Sequence, residues 1–332
     1  MKVVSFILYF IIVAFFIGCT EKFNLESAMS AKILVVDGLI TNNPGPYYIR
    51  LTWSQPGINK SSVSFFERFS DDSAEPVKDA LIIISDNLGT IDTLKLVPDT
   101  SYISFKGLDL YNDTFITKFK INNTGKIGFY QTTKLQGKQG NTYSLKINVN
   151  GQVYTSSGFM TPLPVFDSLS YTKKKLEKDD IIEYVPLLYF KKLNSGTNYY
   201  LFQFDVYPLS GTLKHQTILP RVSSNNMIWP FYIMSDELLK SYVNGIDIWD
   251  GVSVNNNTST GFTPGSNINL AISSLTEQDF LYYKNLIQQF GNDGAAYKQM
   301  PASPHGNISN GALGLFRTST IIELHKKIKI EN

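Results

Sequence analysis

One cysteine in 332 residues rules out any disulfide within the chain. Even in a compartment that permits disulfides, its stability must come from packed cores. Histidine is almost as scarce. His215, His305 and His325 are scattered, and none sits in H-x-x-H, H-E-x-x-H or a Cys/His cluster. No metal site is expected from them, and no cofactor. The sequence has no G-x-S-x-G elbow for a serine nucleophile and no Gly-rich phosphate loop. An excess of one charge is missing too: 30 Lys and Arg stand against 28 Asp and Glu, a formal net charge of +2. Such a balance leaves no electrostatic footprint for nucleic acid.

The chain's start departs from this even composition. From Val3 to Gly18 there is no charge, and Lys2 precedes the run. A basic n-region, an apolar h-region and a small residue form the pattern of an export signal. The run falls short of the ~20 apolar residues that a spanning helix needs. A plain signal peptide or a short membrane anchor would share these features, yet neither explains why Cys19 follows Gly18 directly. Phe16-Ile17-Gly18-Cys19 resembles a bacterial lipobox, with Phe16 where Leu is usual. The resemblance implies cleavage between Gly18 and Cys19 and fatty acids, palmitate among them, on Cys19. One acyl chain holds weakly at roughly 0.8 kcal/mol per buried CH₂, so several on one residue anchor firmly. The expected organisation begins with a signal peptide at 1–18 and a tether at 19–31. About 314 residues of mature chain would follow at a formal charge of +1, outside the cytoplasm and joined to a membrane.

That length allows two domains. Nineteen Tyr and 22 Phe, with abundant Ile, Val and Thr, lean toward β-structure. "KILVVDGLI" (32–40), the turn-rich "TNNPGP" and the alternating "YYIRLTWS" (47–54) predict a first hairpin. "ALIIISDNLGTIDTLKL" (80–96) predicts two strands joined at Asp86-Asn87-Leu88-Gly89. "NTYSLKINVNGQVYTSSGFM" (141–160) is the clearest hairpin, with Asn150-Gly151 as its two-residue turn. Short strands at regular spacing predict an immunoglobulin-like or prealbumin-like β-sandwich over 32–164. "TPLP" (161–164) suits neither helix nor central strand, which places the boundary there.

The second domain, 165–332, is expected to be β-rich with one or two short helices. "NYYLFQFDVY" (198–207) and "NINLAISSL" (267–275) read as strands. "SDELLKSYVNG" (235–245) reads as a helix capped by Ser235 and ended at Asn244-Gly245. "TEQDFLYYKNLIQQF" (276–290) reads as the strongest helix. Thr276 and Asp279 form its capping box, and Phe280, Tyr283, Leu286, Ile287 and Phe290 form an apolar stripe expected to be core.

Candidate chemistry is thin. The acids of "SDDSAE" (70–75) and "EKDD" (177–180) are the paired carboxylates a glycosidase would need, but their polar surroundings predict solvated loops. Asp-Ser/Thr-apolar triplets at 72–74, 92–94 and 167–169 resemble an O-glycosylation sequon. Trp53, Trp229 and Trp249 are the candidate stacking platforms for a ligand. Trp229 is expected in the core. Trp249, between Asp247 and Asp250, is the best exposed candidate, with Trp53 second.

One order of blocks is more specific. The lipobox is followed by "LVVDGLITNNPGPYYIRLT", "VKDALIIISDNLG" and "GKQGNTYSLKINVNGQVYTS". Then come "PLPVFDSL", "SSLTEQDFLYYKNLIQQ" and "GNISNGALGLF". This order resembles the Bacteroidota lipoprotein family catalogued as domain of unknown function 4249, with Leu315 where an aromatic is usual. The resemblance implies an outer-membrane lipoprotein beside a TonB-dependent transporter, on either face of that membrane, and carries over no catalytic residues. A non-enzymatic ligand-binding or assembly role is the leading expectation. A surface hydrolase of glycan or peptide, and an adhesive or structural protein, stand as alternatives.

Overall fold

β1 (Leu34–Thr41) and β2 (Tyr48–Trp53) form the first hairpin in antiparallel register, with Leu39 opposite Tyr48. Alternation along the pleat turns Val36, Ile40, Ile49 and Leu51 inward, where they are buried. The sheet continues through β9 (Phe129–Gln131) to β6 (Lys95–Leu96), and β3 (Glu75–Pro76) pairs with β2. On the far side of β1 lies β20 (Leu313–Ser319), in parallel. The computed structural model describes residues 32–54, 75–98, 128–175, 182–193, 196–207, 232–248, 262, 264–265, 267–291 and 304–330. It also describes four short paired segments, β7 (Tyr102–Ile103) with β8 (Phe119–Lys120) and β17 (Ser253–Val254) with β18 (Thr258–Ser259).

A second sheet runs β11 (Gln152–Phe159), β10 (Thr142–Val149), β4 (Leu81–Asp86), β5 (Ile91–Thr93). Asn150 and Gly151 join β10 to β11 with φ of 50° and 74°. Both positive angles suit the twist of the flanking strands. The inner faces of the two sheets share one core: Val36, Ile49 and Leu51 from one, Ile82, Ile84, Leu145 and Ile147 from the other. Each such side chain contributes about 1.5–3 kcal/mol when fully buried. Ile308, Ala312 and Phe316, from the second half of the sequence, belong to the same core. The chain therefore returns across the 164 position to complete the first sandwich.

The second core lies between β12 (Phe166–Lys175), β13 (Ile182–Lys191), β16 (Tyr242–Asp247) and a four-stranded sheet. That sheet runs β15 (Tyr232–Ser235), β14 (Tyr199–Tyr207), β19 (Asn267–Leu275), β21 (Ile321–Lys327). Leu188, Phe190, Tyr200, Phe202, Ile268 and Ile272 fill the core. Helix α1 (Glu277–Gly291) follows β19. The Asp279 carboxylate accepts from the Thr276 amide at 3.1 Å and its hydroxyl at 2.7 Å, and the Asp279 amide donates back at 3.2 Å. The reciprocal cap is the one the sequence predicts. Phe280, Tyr283 and Ile287 pack on Leu201 and Leu275.

The helix expected over 235–245 does not form. Ser235 ends β15, a turn closes from the Asp236 carbonyl to the Leu239 amide at 3.0 Å, and β16 begins at Tyr242. The Asp236 side chain is turned into the fold instead of the solvent beside a first helical turn. Gly245 lies within β16 at φ 77°, where the register with β13 shifts. Asn244-Gly245 is thus a bulge in a strand, not a helix stop.

Candidate functional site

Of the residues flagged from sequence, Gly18, Cys19, His215, Trp229 and Trp249 lie outside the described residues, and so do the acids of 177–180 and those of 70–75 other than Glu75. Trp53 ends β2 opposite Leu34 and packs half-buried against the first core. His305 and His325 are far apart in the fold. His325, on the outer edge strand, shares a 2.7 Å hydrogen bond with Asn269. Among the described residues no group of three or more His, Cys, Asp or Glu could hold a metal ion.

The buried carboxylates are architectural. Asp92 is fully buried and accepts from the Thr133 amide and hydroxyl at 2.8 and 2.6 Å and from the Lys134 and Leu135 amides at 2.8 Å each. Burial pushes this carboxyl up, but the four donors outweigh it and hold it below the ordinary range. Asp236, equally buried, accepts from the Asn198 amide and side chain at 2.8 Å each and from the Tyr200 hydroxyl at 3.0 Å, with Lys192 Nζ at 3.6 Å. Burial, with the carboxylate beside it, pushes the Tyr200 hydroxyl up. Asp279 is raised by burial, against the pull of Thr276 and Arg317. Arg317 itself is 5% exposed and lies 5.4 Å from the centroid of the Tyr283 ring.

Two open concavities among the described residues could take a ligand. The larger, about 810 Å³, runs over the outer face of β4, β10 and β11. Ser85, Ser144, Lys146, Thr155 and Ser157 line it, and the 306–309 loop walls it. That loop is fixed to the β11 edge: the Thr155 amide donates to Ser309 Oγ at 2.7 Å, and the Ser309 amide returns a bond to the Thr155 carbonyl at 2.9 Å. The smaller, about 530 Å³, lies where Thr161 and Pro162 meet Asn198, Tyr199 and the start of α1. Both linings are rich in hydroxyls and amides. Neither pairs a nucleophile with a base, and Glu277 is the one carboxylate in either.

The "GNISNGALGLF" block owes its pattern to geometry. The Asn307 side chain accepts from the Phe316 amide at 2.8 Å and donates to its carbonyl at 2.7 Å, as a neighbouring strand would. Gly314 has φ 97°, and a Cβ there would sit 1.9 Å from the Val36 carbonyl oxygen. A Cβ at Gly306 would meet the Gly314 oxygen at 1.7 Å. The block is the seam that closes the first sandwich.

Residues 20–323 match the family described as Domain of unknown function (DUF4249). The chain belongs to that family. No curated protein matches it.

Proposed function

We propose that this DUF4249 chain is a non-enzymatic lipoprotein, anchored in the outer membrane through Cys19, that serves a TonB-dependent uptake system by ligand capture or complex assembly. The observation that carries this reading is Gly18-Cys19: the only thiol in the chain stands where a charge-free apolar run ends. Family membership over 20–323 agrees with the resemblance from which that company was expected. The folded body agrees with binding better than with hydrolysis. Among the described residues, the buried acids Asp92, Asp236 and Asp279 are each consumed by backbone donors or a helix cap. Hydrolysis needs convergent acids or a nucleophile–base pair facing a cleft, and the grooves described above present mainly hydroxyls.

The test has two parts. Mass spectrometry of the native protein should find an acylated N-terminal Cys19, and C19S should leave the membrane fraction. Affinity capture through a C-terminal tag in mild detergent should then bring down an outer-membrane transporter. An unmodified thiol would overturn the anchoring, and a solitary monomer in the detergent extract would overturn the partnership.

A further inference from the structure

The sheet β12-β13-β16 covers the second core with one face and leaves the other to solvent. Its register sets Ser168, Tyr189 and Asn244 in one row across the three strands. Lys191 and Tyr242 form the next row. Asp167 lies at the irregularity between Phe166 and Ser168, where it joins the same face. Asp167, Ser168, Lys191, Tyr242 and Asn244 are all exposed, and Tyr189 is half-buried.

Two tyrosines on adjacent strands and adjacent rows are diagonal neighbours, about 7–8 Å apart. Both are held in place. The Tyr242 hydroxyl donates to the Asp167 carboxylate. The Tyr189 hydroxyl accepts from Ser170 Oγ at 3.4 Å. The Tyr189 ring also lies against the Gly245 bulge, where an added Cβ would come within 2.9–3.1 Å of its Oη, Cζ and Cε1. Gly245 thus bounds the hydroxyl end of the Tyr189 ring, and the side chain keeps part of its surface in solvent. Tyr242, 46% exposed, is among the more exposed large apolar side chains of the protein. A freely rotating surface tyrosine loses rotamer entropy when a ligand orders it, whereas rings already fixed lose little.

We propose that this face binds a neutral glycan, whose pyranose rings stack on Tyr189 and Tyr242. A pyranose carries an apolar C–H face and a rim of hydroxyls. The tyrosines match the first, and Ser168, Asn244, Asp167 and Lys191 match the second. Asp167 and Lys191 are opposite in sign, so the face presents no net formal charge and suits an uncharged polyol. The inference rests on the binding role proposed above and gives it a ligand class.

The experiment uses soluble chain beginning at residue 20, so that its result does not depend on acylation or on a transporter. Affinity gel electrophoresis through a panel of neutral plant, fungal and bacterial polysaccharides should show retardation by at least one of them. Tyr189→Ala and Tyr242→Ala should each weaken that retardation at least tenfold. Tyr242→Phe, which keeps the ring, should stay within about threefold. Circular dichroism would confirm that each variant is folded. Retardation by no polysaccharide would overturn the proposal. So would binding that survives in the folded double alanine variant. Either failure would leave the Cys19 and transporter tests standing on their own.

Discussion

Replacing Asp92 by Asn should destabilise the first sandwich in a way that depends on pH. The carboxylate has no exposure and accepts four hydrogen bonds. Asn can keep an oxygen where Oδ2 meets the three amides of 133–135, but those bonds then lose their charge. A bond to a charged acceptor is worth about 1.5–3 kcal/mol and a neutral one about 1. Over the whole nest the loss is about 2–4 kcal/mol at pH 7. In a chain of this size that lowers Tm by about 5 °C or more. Because the folded carboxyl titrates below the ordinary value, its contribution is complete above the unfolded pKa of about 3.9. It is lost as pH falls through the lower folded value. The gap in Tm between wild type and D92N, followed by circular dichroism, should therefore hold from pH 7 to 5 and narrow below about 4. A gap of the same size at pH 3 would mean that shape rather than charge sets the effect, and the reasoning would fail.

Asp279 should behave with the opposite sign. Its folded pKa is raised, so the group favours folding when protonated and loses that advantage as pH rises through the folded value. D279N, which keeps an acceptor for Thr276, should be more stable relative to wild type at pH 7 than at pH 4; equal differences at both would refute this. Gly314→Ala should cost about 3 kcal/mol or more, since it adds a clash with β1 to a left-handed backbone, and a Tm within 1 °C of wild type would contradict the seam. Asn307→Ala removes both bonds to Phe316 and should lower stability by about 2 kcal/mol in urea unfolding, with Asp at the same position no better because it cannot donate to the carbonyl.

Local patterns were legible where one physical cause acted alone. Asn150-Gly151 fixed its hairpin because only that turn matches strand twist, and Thr276 with Asp279 fixed a helix start because the bonds close within four residues. The 235–245 segment misled because local propensity met a distant demand. "SDELL" has good first-turn chemistry, but Asp236 is required 38 residues away by the Asn198 amide and 36 away by Tyr200. A capping acid and a buried acid look alike in sequence. The parallel pairing of β1 with β20 could not be read locally either, since about 280 residues separate the partners. Its one sequence trace was the spacing of Gly306, Asn307, Gly311 and Gly314, which composition alone assigns to a loop. The tyrosine face has no local signature, because its six residues come from three strands.

The fastenings between the two sandwiches bear on how such a body can bind. Asn42, just past β1, donates to the Ile321 carbonyl at 3.1 Å and accepts from the Ile321 amide at 2.6 Å, so a side chain stands in for a strand. Ser274 Oγ donates to the Thr161 carbonyl at 2.8 Å and accepts from the Thr320 amide at 2.9 Å, while the Thr320 hydroxyl meets that same carbonyl at 2.7 Å. Ser273, Ser274, Thr318, Ser319 and Thr320 are all buried along this line. Swinging one sandwich from the other would break the five hydrogen bonds just named, at about 0.5–1.5 kcal/mol each. Several break together, so the open state would be populated very little. A clamshell closing on its ligand is the wrong picture for this protein. The binding proposed above would use surfaces that exist before the ligand arrives, and preformed faces such as the one bearing Tyr189 and Tyr242 are where loss of binding should be sought first.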